Sequence, residues 1–183
     1  MSKRYRRKGL STIITTLIIV TAAVVLGTAV VVFASGIFQS SVEEEAISVT
    51  SAKLWGVNST DSQGAYIVKN TGAKELAIQI IKVRGVESIF SDWYYFDTAG
   101  SNVTSQSTLN YDTDNDLNYI TINGGNRTMT QATGPVSLKP GEVFVIYIAN
   151  PGSIDSTDAG SAVTFEITAK QATQVLRVTV STP

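Results

Sequence analysis

Seven residues between Asp112 and Asn118 are the part of this chain best suited to hold a metal ion. Asp112-Thr113-Asp114-Asn115-Asp116-Leu117-Asn118 sets oxygen-bearing side chains at alternating positions, as the start of a calcium loop does. Such a loop needs glycine at its sixth position and a bidentate glutamate at its twelfth, and Leu117 and Asn123 stand there instead. The expectation is a solvated acidic turn with no bound metal, Asp112, Asp114 and Asp116 being weak candidates for calcium. Other chemistry is thinner still. The 183 residues include no Cys and no His, which removes the usual zinc ligands, a thiol nucleophile and a Ser-His-Asp triad. No acidic pair clusters around a recognisable motif, so neither an enzyme nor a cofactor is expected.

Two kinds of covalent processing are legible. Asn58-Ser59-Thr60, Asn102-Val103-Thr104 and Asn126-Arg127-Thr128 are acceptor sequences for N-glycosylation, all in segments read as loops. Arg7-Lys8-Gly9-Leu10 is a junction where cleavage after Gly9 would remove a basic head and leave Leu10 first. Trp55, Trp93, Tyr94 and Tyr95 carry enough aromatic surface to bind a ligand, though core packing and cross-strand pairing are their expected use.

The element that follows the junction dominates the chain. No charged residue occurs between Gly9 and Val42, and the apolar part runs from Ile13 to Phe38. As a helix this stretch is about 39 Å long, enough to cross a ~30 Å hydrocarbon core with some tilt. It is too long for a conventional secretory signal, whose short apolar region ends in a cleavage site. The basic head predicts a cytoplasmic N-terminus and export of everything beyond the helix. Thr21, Thr28 and Ser35 recur every seven residues and therefore share one slowly drifting helix face. Ala23 and Gly27 form a small-xxx-small pair, with Ala22, Ala29, Ala34 and Gly36 nearby, the composition that lets helix backbones approach closely in lipid.

Arg7-Lys8-Gly9 followed by Leu10-Ser11-Thr12-Ile13-Ile14-Thr15-Thr16-Leu17-Ile18-Ile19-Val20 resembles the class III signal of type IV pilin-like proteins, especially archaeal pilins and archaellins. The resemblance covers roughly the first forty residues. The fifth residue of the mature chain would be Ile14, where bacterial pilins carry glutamate and the archaeal branch commonly does not. The resemblance implies a leader at 1–9, a helix at 10–42 that serves as membrane anchor and filament core, and homo-oligomerisation into a helical filament. It also implies a prepilin peptidase, an assembly ATPase and a membrane platform as partners.

From Ala46 onward the pattern changes to strands. Ile47–Trp55, Ala65–Lys69, Glu75–Arg84, Trp93–Phe96, Asn118–Ile122, Glu142–Ala149, Ala162–Ala169 and Gln174–Val180 are rich in β-branched and aromatic residues and separated by turn formers. Asn70-Thr71-Gly72 and Leu138-Lys139-Pro140-Gly141-Glu142 read as turns, the second of type II. Val143–Ile148 is apolar almost throughout and reads as a central strand covered on both sides, whereas 97–116 reads as a long surface loop. The fold class expected is α+β: one long N-terminal hydrophobic helix, then an antiparallel immunoglobulin-like β-sandwich over 46–183.

Two functions fit. One is a structural subunit of an extracellular type IV pilus-like filament, adhesive pilus or archaellum, on the cell surface after a single-pass membrane precursor stage. The other is a monomeric signal-anchored surface domain that binds a ligand or partner. Loss of residues 1–9 leaves nine Lys and Arg against fifteen Asp and Glu, so no basic patch remains for nucleic acid.

Overall fold

The computed structural model describes residues 5–42, 45–58, 60–114 and 116–183, with the backbone alone for 5–11, 36–42 and 153. The chain divides into two units between Glu43 and Glu44, one holding a single helix and the other every strand. The class is α+β.

Helix α1 spans Tyr5–Val42. It begins within the basic head, so Gly9 and Leu10 lie on helical backbone; Lys and Arg are good helix formers and extend it readily. Over Thr12–Ser35 its mean hydropathy is 2.8, and it is long and apolar enough to cross a membrane. The apolar side chains from Ile13 to Phe33 are all exposed, on every side of the helix. A helix apolar all round suits lipid or a protein core, not water.

The second unit contains β1 (Ile47–Trp55), β2 (Gln63–Asn70), β3 (Leu76–Val83), β4 (Val86–Glu87), β5 (Trp93–Asp97) and β6 (Tyr119–Ile122). These are followed by β7 (Gly125–Thr128), β8 (Thr130–Gln131), β9 (Val136–Leu138), β10 (Val143–Ala149), β11 (Ala162–Ala169) and β12 (Ala172–Ser181). Ten strands form one curled sheet in the order β4-β3-β11-β12-β1-β2-β10-β5-β8, with β9 also beside β3. Neighbours are antiparallel except β1 and β12, which meet in parallel at Leu54↔Val180 and Trp55↔Ser181. That contact joins two antiparallel halves, so a continuous hydrogen-bonded path replaces two separate sheets. The halves nevertheless share one core: Leu54, Tyr66, Trp93 and Ile146 from one meet Ile78, Ile81, Phe165, Ile167 and Val180 from the other.

The expected central strand is there. On β10, Phe144, Ile146 and Ile148 face this core, while Val145 and Tyr147 face a second cluster on the outer side of the sheet. The segment 97–116, read as a long surface loop, has no helix or strand after Asp97 among its described residues and also supplies part of the cover for that second cluster. Val103 and Leu109 from that segment, then Leu117, Ile120, Ile122 and Met129, are buried against Trp55, Ala65, Ile67, Val145 and Tyr147. Polar bonds fix the cover in place. The buried Gln63 amide donates to Asp112 O and accepts from Asp112 N, both at 2.9 Å, and Tyr147 Oη donates to Asn110 O at 2.9 Å.

Both expected turns form. Asn70 Oδ1 accepts from Gly72 N at 2.9 Å, and its amide nitrogen donates to Lys74 O at 2.7 Å and Leu138 O at 3.0 Å, closing the β2–β3 turn. Gly141 has φ +81° and Glu142 N donates to Lys139 O, as a type II turn with Pro140 before the glycine requires. The terminal strands β4 and β8 are two residues each and β9 is three, whereas β1 and β12 meet only at Leu54↔Val180 and Trp55↔Ser181, so the rest of each strand has a ladder partner on one side alone among the described residues.

Residues 46–183 therefore fold without the helix, giving a soluble, β-rich chain that does not polymerise; circular dichroism with a cooperative urea transition checks this. Within it, the Tyr66 hydroxyl is buried with no hydrogen-bond partner among the described residues, and burial holds its pKa well above the ordinary tyrosine value. An unmatched buried hydroxyl costs about 1–3 kcal/mol, so Tyr66→Phe leaves stability unchanged or raises it. The folded state resists ionisation where the unfolded chain ionises near pH 10, so stability is retained below about pH 10 and lost above it. Tyr66→Phe removes part of that alkaline loss, as urea midpoints at pH 8 and 11 will show.

Candidate assembly surface on the helix

The residues of α1 from 16 to 36 form three blocks of seven: TLIIVTA, AVVLGTA and VVVFASG. Each block holds three consecutive bulky apolar residues, at 17–19, 24–26 and 31–33, and closes on a hydroxyl residue followed by Ala or Gly. Thr21, Thr28 and Ser35 are thus each followed by a small partner, Ala22, Ala29 and Gly36. A second small stripe runs through Thr16, Ala23, Gly27 and Ala34 at spacings of seven, four and seven. The sequence reading found Ala23 and Gly27 but missed the block repeat, which was visible in the register of the hydroxyls.

Those hydroxyls are satisfied within the helix. Thr21 Oγ1 donates to Leu17 O and Ile18 O, each at 3.0 Å, and Thr28 Oγ1 to Val24 O at 3.0 Å and Val25 O at 2.9 Å. Ser35 Oγ donates to Val31 O at 2.8 Å. Back-bonding of this kind leaves no unpaired polar group in an apolar medium and turns the threonine methyls outward. Thr21 and Ala22, with Ile18, Val25 and Leu26, line a shallow apolar depression of about 490 Å³.

Nothing within its own helix requires glycine at position 27. A Cβ built there meets nothing within 4 Å, and its φ is not positive. In a helix interior glycine is about 1 kcal/mol worse than alanine. The residue carries that cost with no local return, and close approach of another helix is the return that lipid chemistry offers.

The remaining sequence candidates are dispersed over the β unit. Asn58 is exposed in the β1–β2 connection; its Oδ1 accepts from Thr60 N at 2.8 Å, Thr60 Oγ1 at 2.8 Å and Asp61 N at 2.9 Å. Asn102 is also in a loop, its side-chain oxygen accepting from Arg127. Asn126 corrects the loop reading: it lies on β7, paired with Thr121 and exposed. The signal overlooked was Asn123-Gly124, both at positive φ, the two-residue turn that joins β6 to β7. Trp55 and Trp93 lie in different clusters on opposite faces of the sheet, so with Tyr94 and Tyr95 they form no common aromatic surface.

The three aspartates are not gathered around a cation position. Among the described residues no group of three or more potential ligands is placed to hold a metal. Asp112 is partly buried, which raises its carboxyl pKa, and neighbouring Asp114 and Asp116 raise it further against hydrogen bonds from their backbones. Asp116 is occupied by hydrogen bonds from Asn118, the shorter from the Asn118 amide nitrogen at 2.6 Å. Asn115 lies outside the described residues.

Against known proteins, the chain matches no family model and no curated protein.

Scattered carboxylates make a concrete expectation. Calcium added at about 5 mM leaves the thermal midpoint within about 1 °C, because a ligand stabilises only in proportion to its binding to the folded state. A rise of several degrees, lost in Asp112→Asn, would show that the acidic turn closes around the ion.

Proposed function

We propose that this chain is the structural subunit of an extracellular type IV pilus-like filament, an adhesive pilus or archaellum. The leader is removed after Gly9, the helix from Leu10 to Val42 waits in the bilayer, and it then packs among identical helices in a filament core. The β unit, an immunoglobulin-like sandwich in the sense that two sheet halves enclose one core, stands outside that core. The resemblance of the first forty residues to archaeal pilins supplies the prepilin peptidase, the assembly ATPase and the membrane platform.

The observation that carries this reading is Gly27. A monomeric anchor needs apolarity and nothing more, and leucine would serve it better. Glycine facing open space, on a stripe with Thr16, Ala23 and Ala34, suits a helix that must receive another backbone.

Two substitutions test it in cells. Gly9→Val enlarges the cleavage position and leaves an uncut precursor, read by mass spectrometry of the N-terminus; Met1 or Ser2 on surface-exposed wild-type protein would contradict the processing step. Gly27→Leu preserves insertion but overpacks each helix contact by about 1–3 kcal/mol. Filaments counted by electron microscopy then become fewer or shorter while membrane-bound protein is unchanged. Normal filament abundance would remove the packing role of Gly27, and no filaments even from the unaltered chain would favour the monomeric anchor.

A further inference from the structure

Between β8 and β9 the chain crosses from one half of the sheet to the other through Ala132-Thr133-Gly134-Pro135, and beside this crossing lies a groove of about 510 Å³. Two aromatic residues are among those that line it. Tyr95 of β5 stacks on Phe144 of β10 with ring centres 5.8 Å apart and planes 12° from parallel, Phe144 buried and Tyr95 half-buried. Thr130, Gln131, Thr133 and Ser137 line the sides. No acid or base lines it. Among the described residues, the hydroxyls of Tyr95, Thr130, Thr133 and Ser137 have no hydrogen-bond partner within the protein. Gln131 is held in place: its amide nitrogen donates to Ser91 O at 2.5 Å and to the Tyr94 hydroxyl at 3.2 Å, which leaves its carbonyl oxygen as an acceptor.

We propose that this groove binds an uncharged saccharide. The part-exposed Tyr95 ring can take the C–H face of a sugar ring, where apolar contact costs the sugar no hydrogen bond. Hydroxyls and an amide at the rim then match the ring's own hydroxyls, which donate and accept as serine and threonine do. A volume near 500 Å³ lies in the range of small-ligand sites. Alternative occupants fit less well. An extended peptide would add to the edge strand, but β8 offers only Thr130 and Gln131. An anion or cation finds no opposite charge. A separate groove that does carry charge, lined in part by Lys82, Arg84, Asp158 and Glu166, has these charges already matched in pairs, Lys82 with Glu166 and Arg84 with Asp158. This inference does not rest on filament assembly, since the groove lies wholly within the β unit.

Saturation-transfer NMR on the full chain tests it, with the chain held in a phosphocholine detergent that contains no sugar. The probes are the homotrisaccharides of glucose, mannose and N-acetylglucosamine at about 5 mM, above the millimolar dissociation constants expected of shallow sites. Saturation passes to the ring protons of at least one probe. Tyr95→Ala weakens that binding by about tenfold or more through loss of that ring. Thr130→Arg, at an exposed position where folding is undisturbed, fills the rim and does the same. Tyr119→Ala removes an exposed tyrosine outside the groove and changes nothing. Transfer to none of the three probes, or equal transfer to wild type and Thr130→Arg, overturns the proposal.

Discussion

In hydrocarbon no water is present to bond a backbone amide or a hydroxyl, and each group left unpaired costs several kcal/mol. In the membrane stage proposed above, that constraint acts on α1 from Tyr5 to Val42. A continuous helix satisfies the backbone, and Thr16, Thr21, Thr28 and Ser35 spend their hydroxyls on carbonyls of their own helix. What remains outside is carbon, alternately bulky and small in blocks of seven. Surface relief therefore replaces polarity as the means of recognition. With lipid as apolar as leucine, helices gain by fitting closely, and small residues set where they fit. In the filament proposed above, Gly27 is the deepest point of that relief.

The β unit solves the opposite problem, exposure to water with a modest core. Its sheet curls until its two halves share one core, and the parallel contact of β1 with β12 carries the hydrogen bonding across the seam. Gly56 sits directly after that contact, where a Cβ would come within 2.1 Å of the Asp155 carbonyl oxygen; only glycine lets the chain leave the seam there. The outer face of β2 and β10 would present Ile67, Val145 and Tyr147 to solvent were it not for the segment that folds across it. Gln63 and Tyr147 anchor that cover by bonding its backbone, so the polar ends of these two side chains have partners beneath it.

Much of this was legible in the residues. β11 has the bounds its alternation predicts, because Val163, Phe165 and Ile167 in period two leave little choice of face, and β1 keeps its predicted bounds across a register shift between Thr50 and Lys53. The turn at Asn70 and the Pro140-Gly141 turn were readable because their chemistry is local. The cover was not: Val103, Leu109 and Leu117 occur singly among polar residues, and nothing local says that each is an anchor. Nor was the β1–β12 contact, since it joins segments more than a hundred residues apart and follows from closure of the whole core. On the helix, the small residues were legible as a composition. Their use within the chain was not, because only coordinates show that the hydroxyls bond back and that nothing near Gly27 requires it.

The central claim is that Gly27 exists to receive a neighbouring helix. Electron cryomicroscopy of filaments sheared from cells that carry this chain, with the subunit identified by mass spectrometry, measures that directly. The account predicts this chain as the subunit, its helices packed in the filament core, and a close backbone approach between neighbours at Gly27. Filaments built from another protein, or a core in which Gly27 faces a gap while bulky residues make every contact, would contradict it.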